Sequence, residues 1–280
     1  MSRRREVQQR LAALDEIDGI MVAMKNLALL ETHRLAKFID TQRRSVTSIE
    51  AAAADFLGFY PQTPAYGDGR QQMLLVVIGS ERGLCGDFNE TLLKPLAAAT
   101  QQEDTLLVAV GHKLEGKLQD DARITACIEG PSVAEEVHEA LVRLIKVLSK
   151  LQQQRPEEVW RISALYHDKE KGEARLRQLL PLPGPTGRSA YSHAPLLNLD
   201  PAQFLSELTD QYLFAALHEV FYASLMAENR SRLEHMDNAI RRMEKDQSKL
   251  RLRYNALRQE EIIEEIEIIM LSAEALSETG

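Results

Sequence analysis

From Ala202 to Thr279 the chain runs without a single glycine or proline, and within that run the apolar residues fall on one stripe. Leu233, Met236, Ile240, Met243, Gln247, Leu250, Tyr254 and Leu257 recur at alternating steps of three and four, and charged or polar residues fill most of the gaps. That spacing keeps one face of a helix against another helix. A helix of this length cannot bury its stripe on itself, so the stretch from about Arg232 to Leu276 requires a partner.

The other end of the chain offers one. From about Arg4 to Leu57, Val7, Leu11, Leu14, Ile17, Met21, Met24, Ala28, Leu35, Phe38, Ile49 and Phe56 follow similar steps, with Glu31, Gln42 and Ser45 filling gaps. The step shortens between Leu14 and Ile17, which implies a local drift of the seam. Gly19 is the one helix-weakening residue there and costs about 1 kcal/mol relative to alanine. At 1.5 Å per residue the C-terminal helix would reach roughly 100 Å and the N-terminal one roughly 80 Å. The expected fold is a long antiparallel coiled coil of the terminal helices, residues 1–57 and 202–280, with a domain inserted between them. The longer helix should project past its partner.

The inserted region, residues 70–195, changes period. Met73–Gly79 and Thr105–Gly111 are continuous apolar runs of strand length ending in glycine, as expected for strands covered on both faces. Asn89 is placed to cap a helix through Ala98, which Pro95 would break or kink. Arg123–Ile128 reads as a third strand, followed by a helix from Ser132 to about Gln154. Val159–Tyr166 and Glu173–Leu180 read as an antiparallel end to the sheet. Alternating strands and helices imply a small, mostly parallel, Rossmann-like α/β domain. Pro181–Gly187 is too rich in proline and glycine for either element and reads as a linker back to the coiled coil.

Composition narrows the function classes. The chain has 280 residues and a formal net charge of -8, which argues against nucleic acid as the main partner. Aromatic residues make up 5%, as suits a chain dominated by coiled coil. Cys85 and Cys127 form no CxxC pair; they are either a long-range disulfide or, as a cytosolic chain would have them, two thiols. No apolar run approaches the ~18–20 residues that cross a bilayer. The basic opening Met1–Arg5 has no apolar core behind it, so it does not read as a signal peptide. Membrane association, on this reading, runs through partners.

Chemical signals are weak. The loop Gly79-Ser80-Glu81-Arg82-Gly83-Leu84-Cys85-Gly86-Asp87-Phe88-Asn89 lies between strand and helix, where a nucleotide loop would lie. A phosphate loop needs lysine and a hydroxyl after its last glycine, and neither follows Gly86. Gly83 and Gly86 supply only half of a dinucleotide loop, and Asp87 puts a negative charge where phosphate would approach. The plainer reading is a tight turn permitted by Gly83 and Gly86. His33, His112, His138, His167, His193, His218 and His235 are scattered without ligand spacing. His167-Asp168 could orient a base, but no GxSxG elbow accompanies it. The acidic run Glu260–Glu267 is interleaved with isoleucines and reads as a helix with a solvated face. No catalytic, cofactor or metal set emerges, so the function is mechanical or scaffolding.

The loop Glu81-Arg82-Gly83-Leu84-Cys85-Gly86-x-Phe88-Asn89 and the C-terminal Tyr254-Asn255-x-x-Arg258-Gln259 together resemble the gamma subunits of F-type ATP synthases. Ile20-x-x-Ala23-Met24-Lys25 and Arg232-Leu233-x-x-Met236 resemble two further motifs of that family, so the resemblance runs end to end. It implies a non-catalytic rotor subunit of the central stalk. Its coiled coil would stand inside a ring of alternating alpha and beta subunits, and its α/β domain would sit with epsilon on the c ring. It also implies no cofactor, and a peripheral place on the cytoplasmic face of a bacterial inner membrane. By position, Arg258 and Gln259 match the pair that engages the beta-subunit catch loop, while Met24, Lys25 and Arg232 match the region facing the acidic lever of beta. Arg241 and Arg242 belong to a basic zone expected at the same lever, ahead of an acidic tip bearing Glu274 and Glu278.

This chain departs from the family pattern at Ile263, Ile268 and Ser272, and at Arg241-Arg242, where a smaller polar pair is common. The departures imply a divergent branch with altered ring contacts. Two other readings remain open at this stage. A coiled-coil scaffold with an α/β head would be a homodimer without a hexameric partner, and a small nucleotide-binding enzyme would bind nucleotide in isolation.

Overall fold

A computed structural model describes residues 3–61, 70–100, 105–168, 173–182 and 193–278. Helix α1 spans Arg3–Phe59 and helix α5 Pro201–Glu278, each unbroken, as the absence of internal proline allows. Between them come β1 (Arg70–Ile78), α2 (Glu90–Ala99), β2 (Thr105–Val110), α3 (His112–Leu118), β3 (Ile124–Ile128), α4 (Val137–Gln154), β4 (Glu158–Asp168) and β5 (Glu173–Leu180). The expected linker lies outside the described residues from Pro183 onward. No described helix is long and apolar enough to cross a membrane.

The chain divides into two compact units, one of Met1–Leu27 with Glu234–Gly280, the other of Ala28–Leu233. The first is an antiparallel helix pair. Lys25 meets Asp237 at 2.5 Å, Gln247 meets Asp15 at 3.0 Å, and Arg4 meets Glu261 at 2.9 Å, so the residue numbers run in opposite senses. On α5 the shielded residues include Met236, Ile240, Met243, Gln247, Leu250, Tyr254 and Leu257, the stripe read from the sequence. On α1 they include Val7, Leu11, Leu14, Asp18, Met21, Met24 and Lys25. Ile17, expected in the seam, is 46% exposed, and Asp18 takes its place. A four-residue step from Leu14, not the three-residue step expected, keeps the stripe in line with the partner.

The second unit holds a five-stranded sheet in the order β3-β2-β1-β4-β5, parallel except for the β4–β5 pair. β1, β2 and β4 are buried over most of their length, which explains the unbroken apolar runs of β1 and β2. β3 lies at an edge and alternates. One face packs against α2 and α3 through Leu92, Leu96, Leu114 and Leu118. The other packs against α4 and against the stretches of α1 and α5 that belong to this unit, through Leu141, Leu144, Leu35, Phe56, Tyr212 and Phe221. On α1 the buried stripe here is Leu35, Ile39, Val46, Ala53 and Phe56. Phe38 and Ser45, expected in the seam, sit one place out; Phe38 is 50% exposed and stacks its ring on Tyr222 at 5.8 Å.

Two local expectations need correction. Asn89 precedes α2 but makes no side-chain cap; its amide is held by Ser80 instead. Pro95 lies within α2, which continues to Ala99 through it.

Candidate functional site

Two sets of family-like residues form separate sites. The first is the loop after β1. Gly79 leads into it because a side chain there would meet Leu114 Cβ at 2.4 Å and Asn89 Oδ1 at 2.7 Å. Ser80 then donates its N–H to Asn89 Oδ1 at 2.9 Å, and Asn89 Nδ2 returns a bond to Ser80 Oγ at 2.8 Å. The turn residues are Leu84 and Gly86, with φ of 64° and 65°. Gly83, expected to share that task, has no left-handed backbone, and a side chain there would meet only Lys113 Cε at 3.9 Å. A leucine in the left-handed region carries strain on the order of 1–3 kcal/mol, so the surroundings must hold it there.

They do so through α5. Arg232 is buried, donates from Nε to the Gly83 carbonyl at 3.3 Å and from Nη1 to Asn229 Oδ1 at 2.8 Å, and pairs with Glu228. Glu228 in turn accepts the backbone N–H groups of Glu81 and Arg82. Burial pushes the Glu228 carboxyl up, opposed by Arg232 and those N–H bonds. Cys85 and Phe88 pack on Ala227, so the loop is fixed to α5 by charge and by apolar contact together. Both cysteines are thiols; burial pushes Cys85 up, away from the reactive thiolate.

The same loop fills the crevice a ligand would use. In open α/β sheets, ligands bind beyond the carboxyl ends of the strands where the strand order reverses, here between β1 and β4. Phe88 packs there on His167 with the rings tilted by 44° and centroids 4.3 Å apart, and His167 Nε2 lies 2.9 Å from the Phe88 carbonyl and 3.1 Å from Thr91 Oγ1. Burial holds the imidazole below its ordinary value. Beyond β2 and β3, one oxygen of Glu81 accepts the N–H of Gly130 at 2.8 Å and of His112 at 3.0 Å.

The second site is the helix pair of the first unit. Met24 is half-buried in the seam, and Lys25 is tied to Asp237, which also pairs with Arg241 at 2.8 Å. Arg241, Arg242, Arg258 and Gln259 are exposed, the last two just past Leu257 in the stripe. Arg232, expected to face a partner, points inward instead, because its i−4 neighbour is a buried carboxylate. After Glu261 the shielded stripe stops, and Ile262, Ile263, Ile266, Ile268, Ile269, Met270 and Leu271 are all exposed. Helix α5 thus outruns α1, whose Arg4 pairs with Glu261. The side chains of Ser272, Glu274 and Glu278 lie outside the described residues.

Sequence reasoning missed Glu228 and Glu81. Glu228 had a signal, a carboxylate four residues before Arg232 in an otherwise apolar run; Glu81 had none. No group of three or more histidine, cysteine or carboxylate side chains is placed to hold a metal among the described residues.

These features define a class of protein in which two long terminal helices pair and carry an inserted α/β domain. A protein-family profile described as ATP synthase matches residues 3–276, and the chain belongs to that family. Within it the chain is of the gamma type. The ATP synthase gamma chain of Clostridium botulinum is 24% identical over 279 residues, covering 96% of both chains. That of Symbiobacterium thermophilum is 24% identical over 98% of both. Among solved structures, a chain of the Euglena gracilis mitochondrial ATP synthase (OSCP, F1 and c-ring) has a TM-score of 0.65 at 15% identity, covering 98% of this chain and 94% of its own. The central stalk and c-ring of the Tetrahymena thermophila enzyme gives 0.52 at 17% identity, covering 79% of this chain and 99% of its own.

Proposed function

We propose that this chain is the central-stalk rotor of an F-type ATP synthase, coupling ion flow through a c ring to the catalytic sites of an alpha/beta ring, and that it performs no chemistry itself. The observation that carries this reading is the α5 tip, apolar on several sides and exposed from Ile262 to Leu271. Glu264, Glu265 and Glu267 are the charged residues of this stretch, and the seven exposed apolar side chains around them are more than a wholly solvated helix would carry; they suit a shaft end turning in an apolar sleeve. Residues 1–57 and 202–280 form the shaft and 70–195 the foot, which meets epsilon and the c ring. A peripheral place on the cytoplasmic face of a bacterial inner membrane belongs to the same proposal; the bacterial origin of the gamma-chain relatives favours a bacterial enzyme.

Torque requires contacts that differ between catalytic states. Arg258 and Gln259 are the residues assigned to the beta catch, and Arg241 and Arg242 to its acidic lever, because they are exposed on α5. Met24 and Lys25 support the same zone from α1. Arg232 acts from within, by fixing the loop Gly83–Asn89. Purification of this chain from its own membranes tests the reading. Alpha and beta subunits should co-purify with it, and a homodimer alone would overturn the assignment.

A further inference from the structure

At the outer edge of the sheet, one arginine is shared between both long helices. Arg177, on β5, donates from Nη2 to Glu50 of α1 at 3.0 Å and from Nη1 to Glu219 of α5 at 2.7 Å. Arg43 of α1 continues the tie, lying 3.7 Å from Glu219 and donating to Asp168, at the end of β4, at 3.3 Å. Arg177, Glu219 and Asp168 are largely shielded from solvent. The cluster therefore joins β4, β5, α1 and α5 within one unit.

The rest of this interface is mostly apolar, with single neutral bonds such as Ser224 to the Ile78 carbonyl at 3.4 Å. Ile162, Ala164, Tyr166 and Leu179 belong to one buried cluster with Ala216, Val220 and Ala223, several of them small side chains. Apolar contact is non-directional, so it resists separation of the layers better than rotation of one helix about its axis. Arginine–carboxylate bonds are directional, because the guanidinium fork fixes angle as well as distance. A fork split between two helices fixes the angle of both relative to the sheet.

We propose that the Arg177 tie is the torsional lock of the rotor, holding α1 and α5 in angular register with the sheet so that twist applied to the α/β region passes into the helices. This rests on the rotor reading above. Arg177 is a positioning residue in this account.

The test uses the assembled enzyme with its catalytic ring immobilised, and a probe bead on Cys127, the exposed thiol of β3. In Arg177→Met, which removes both bonds, the angular variance of the bead in the stalled state should rise above that of wild type. Arg177→Lys should fall between Met and wild type, and ATP yield per transported ion should drop in the same order. Lys117→Met, which removes an exposed pair with Glu90, should match wild type. Unchanged variance in Arg177→Met, with only a lower melting temperature, would overturn the proposal and leave Arg177 a stability residue. Should Arg177→Met fail to fold, Arg177→Lys and Glu219→Gln decide by the same variance. A wild-type bead that never rotates on ATP would instead refute the rotor reading itself.

Discussion

The guanidinium of Arg232 donates to the carbonyl of Gly83 at 3.3 Å across 149 positions of sequence, so the loop motif and the helix motif are one structural device. Glu228 completes it from one turn earlier. Arg232→Leu would strand a buried carboxylate and should destabilise the chain by about 3–5 kcal/mol. Replacing Glu228 by leucine as well should recover part of that loss, the remainder being the N–H groups of Glu81 and Arg82 left without their acceptor. Urea unfolding of the single and double variants measures the coupling; additive losses would contradict the clamp.

Glu81 holds two backbone N–H groups at the strand ends. Glu81→Gln keeps an acceptor and should change little, whereas Glu81→Ala should speed hydrogen exchange at Gly130 and His112. ADP and ATP should show no measurable binding to the purified wild-type chain, because Phe88 and His167 fill the crevice between β1 and β4. Saturable binding by calorimetry would revive the nucleotide-enzyme reading.

His167 supplies a pH dependence. Burial sets its folded value below the ordinary imidazole value, so the unfolded state binds the proton more readily. Stability is full above the unfolded value of about 6.5 and declines as pH falls from there toward the folded value. His167→Gln should flatten that part of the stability curve. His218, lowered by burial and by nearby His138, should contribute the same sign, so the double variant should be flatter still.

Much of the fold was legible because helix and strand periods are local. The α5 stripe from Met236 to Leu257 needed only its three-four spacing, and the runs Met73–Ile78 and Thr105–Val110 needed only their length. The α1 seam was harder. Leu30, Phe38 and other exposed apolar residues compete with the true stripe, and only the partner's position selects Ile39 over Phe38. Asn89 misled for a related reason: its amide suits a cap, but the close approach of Gly79 to Leu114 gives it a nearer partner in Ser80. Arg232 illustrates the limit at the site. Its motif position was readable, but its inward direction depends on a loop far away in sequence.

Arg258 and Gln259 are exposed beyond Leu257 and carry the proposed beta contact. Arg258→Ala with Gln259→Ala should leave helix content unchanged and slow steady-state ATP hydrolysis by the assembled head. A charge-assisted contact of about 1.5–3 kcal/mol made in only some states changes a rate by roughly tenfold to a hundredfold. Normal assembly with unchanged turnover at saturating ATP would remove these residues from the catch.

Rotation itself is the most direct measurement. A bead on Cys127, with buried Cys85 unlabelled, reports the motion of this chain inside the immobilised alpha/beta ring. The account predicts continuous rotation in one direction on adding ATP, stopping when ATP is removed. A complex that contains this chain and hydrolyses ATP while the bead stays at a fixed angle would contradict it.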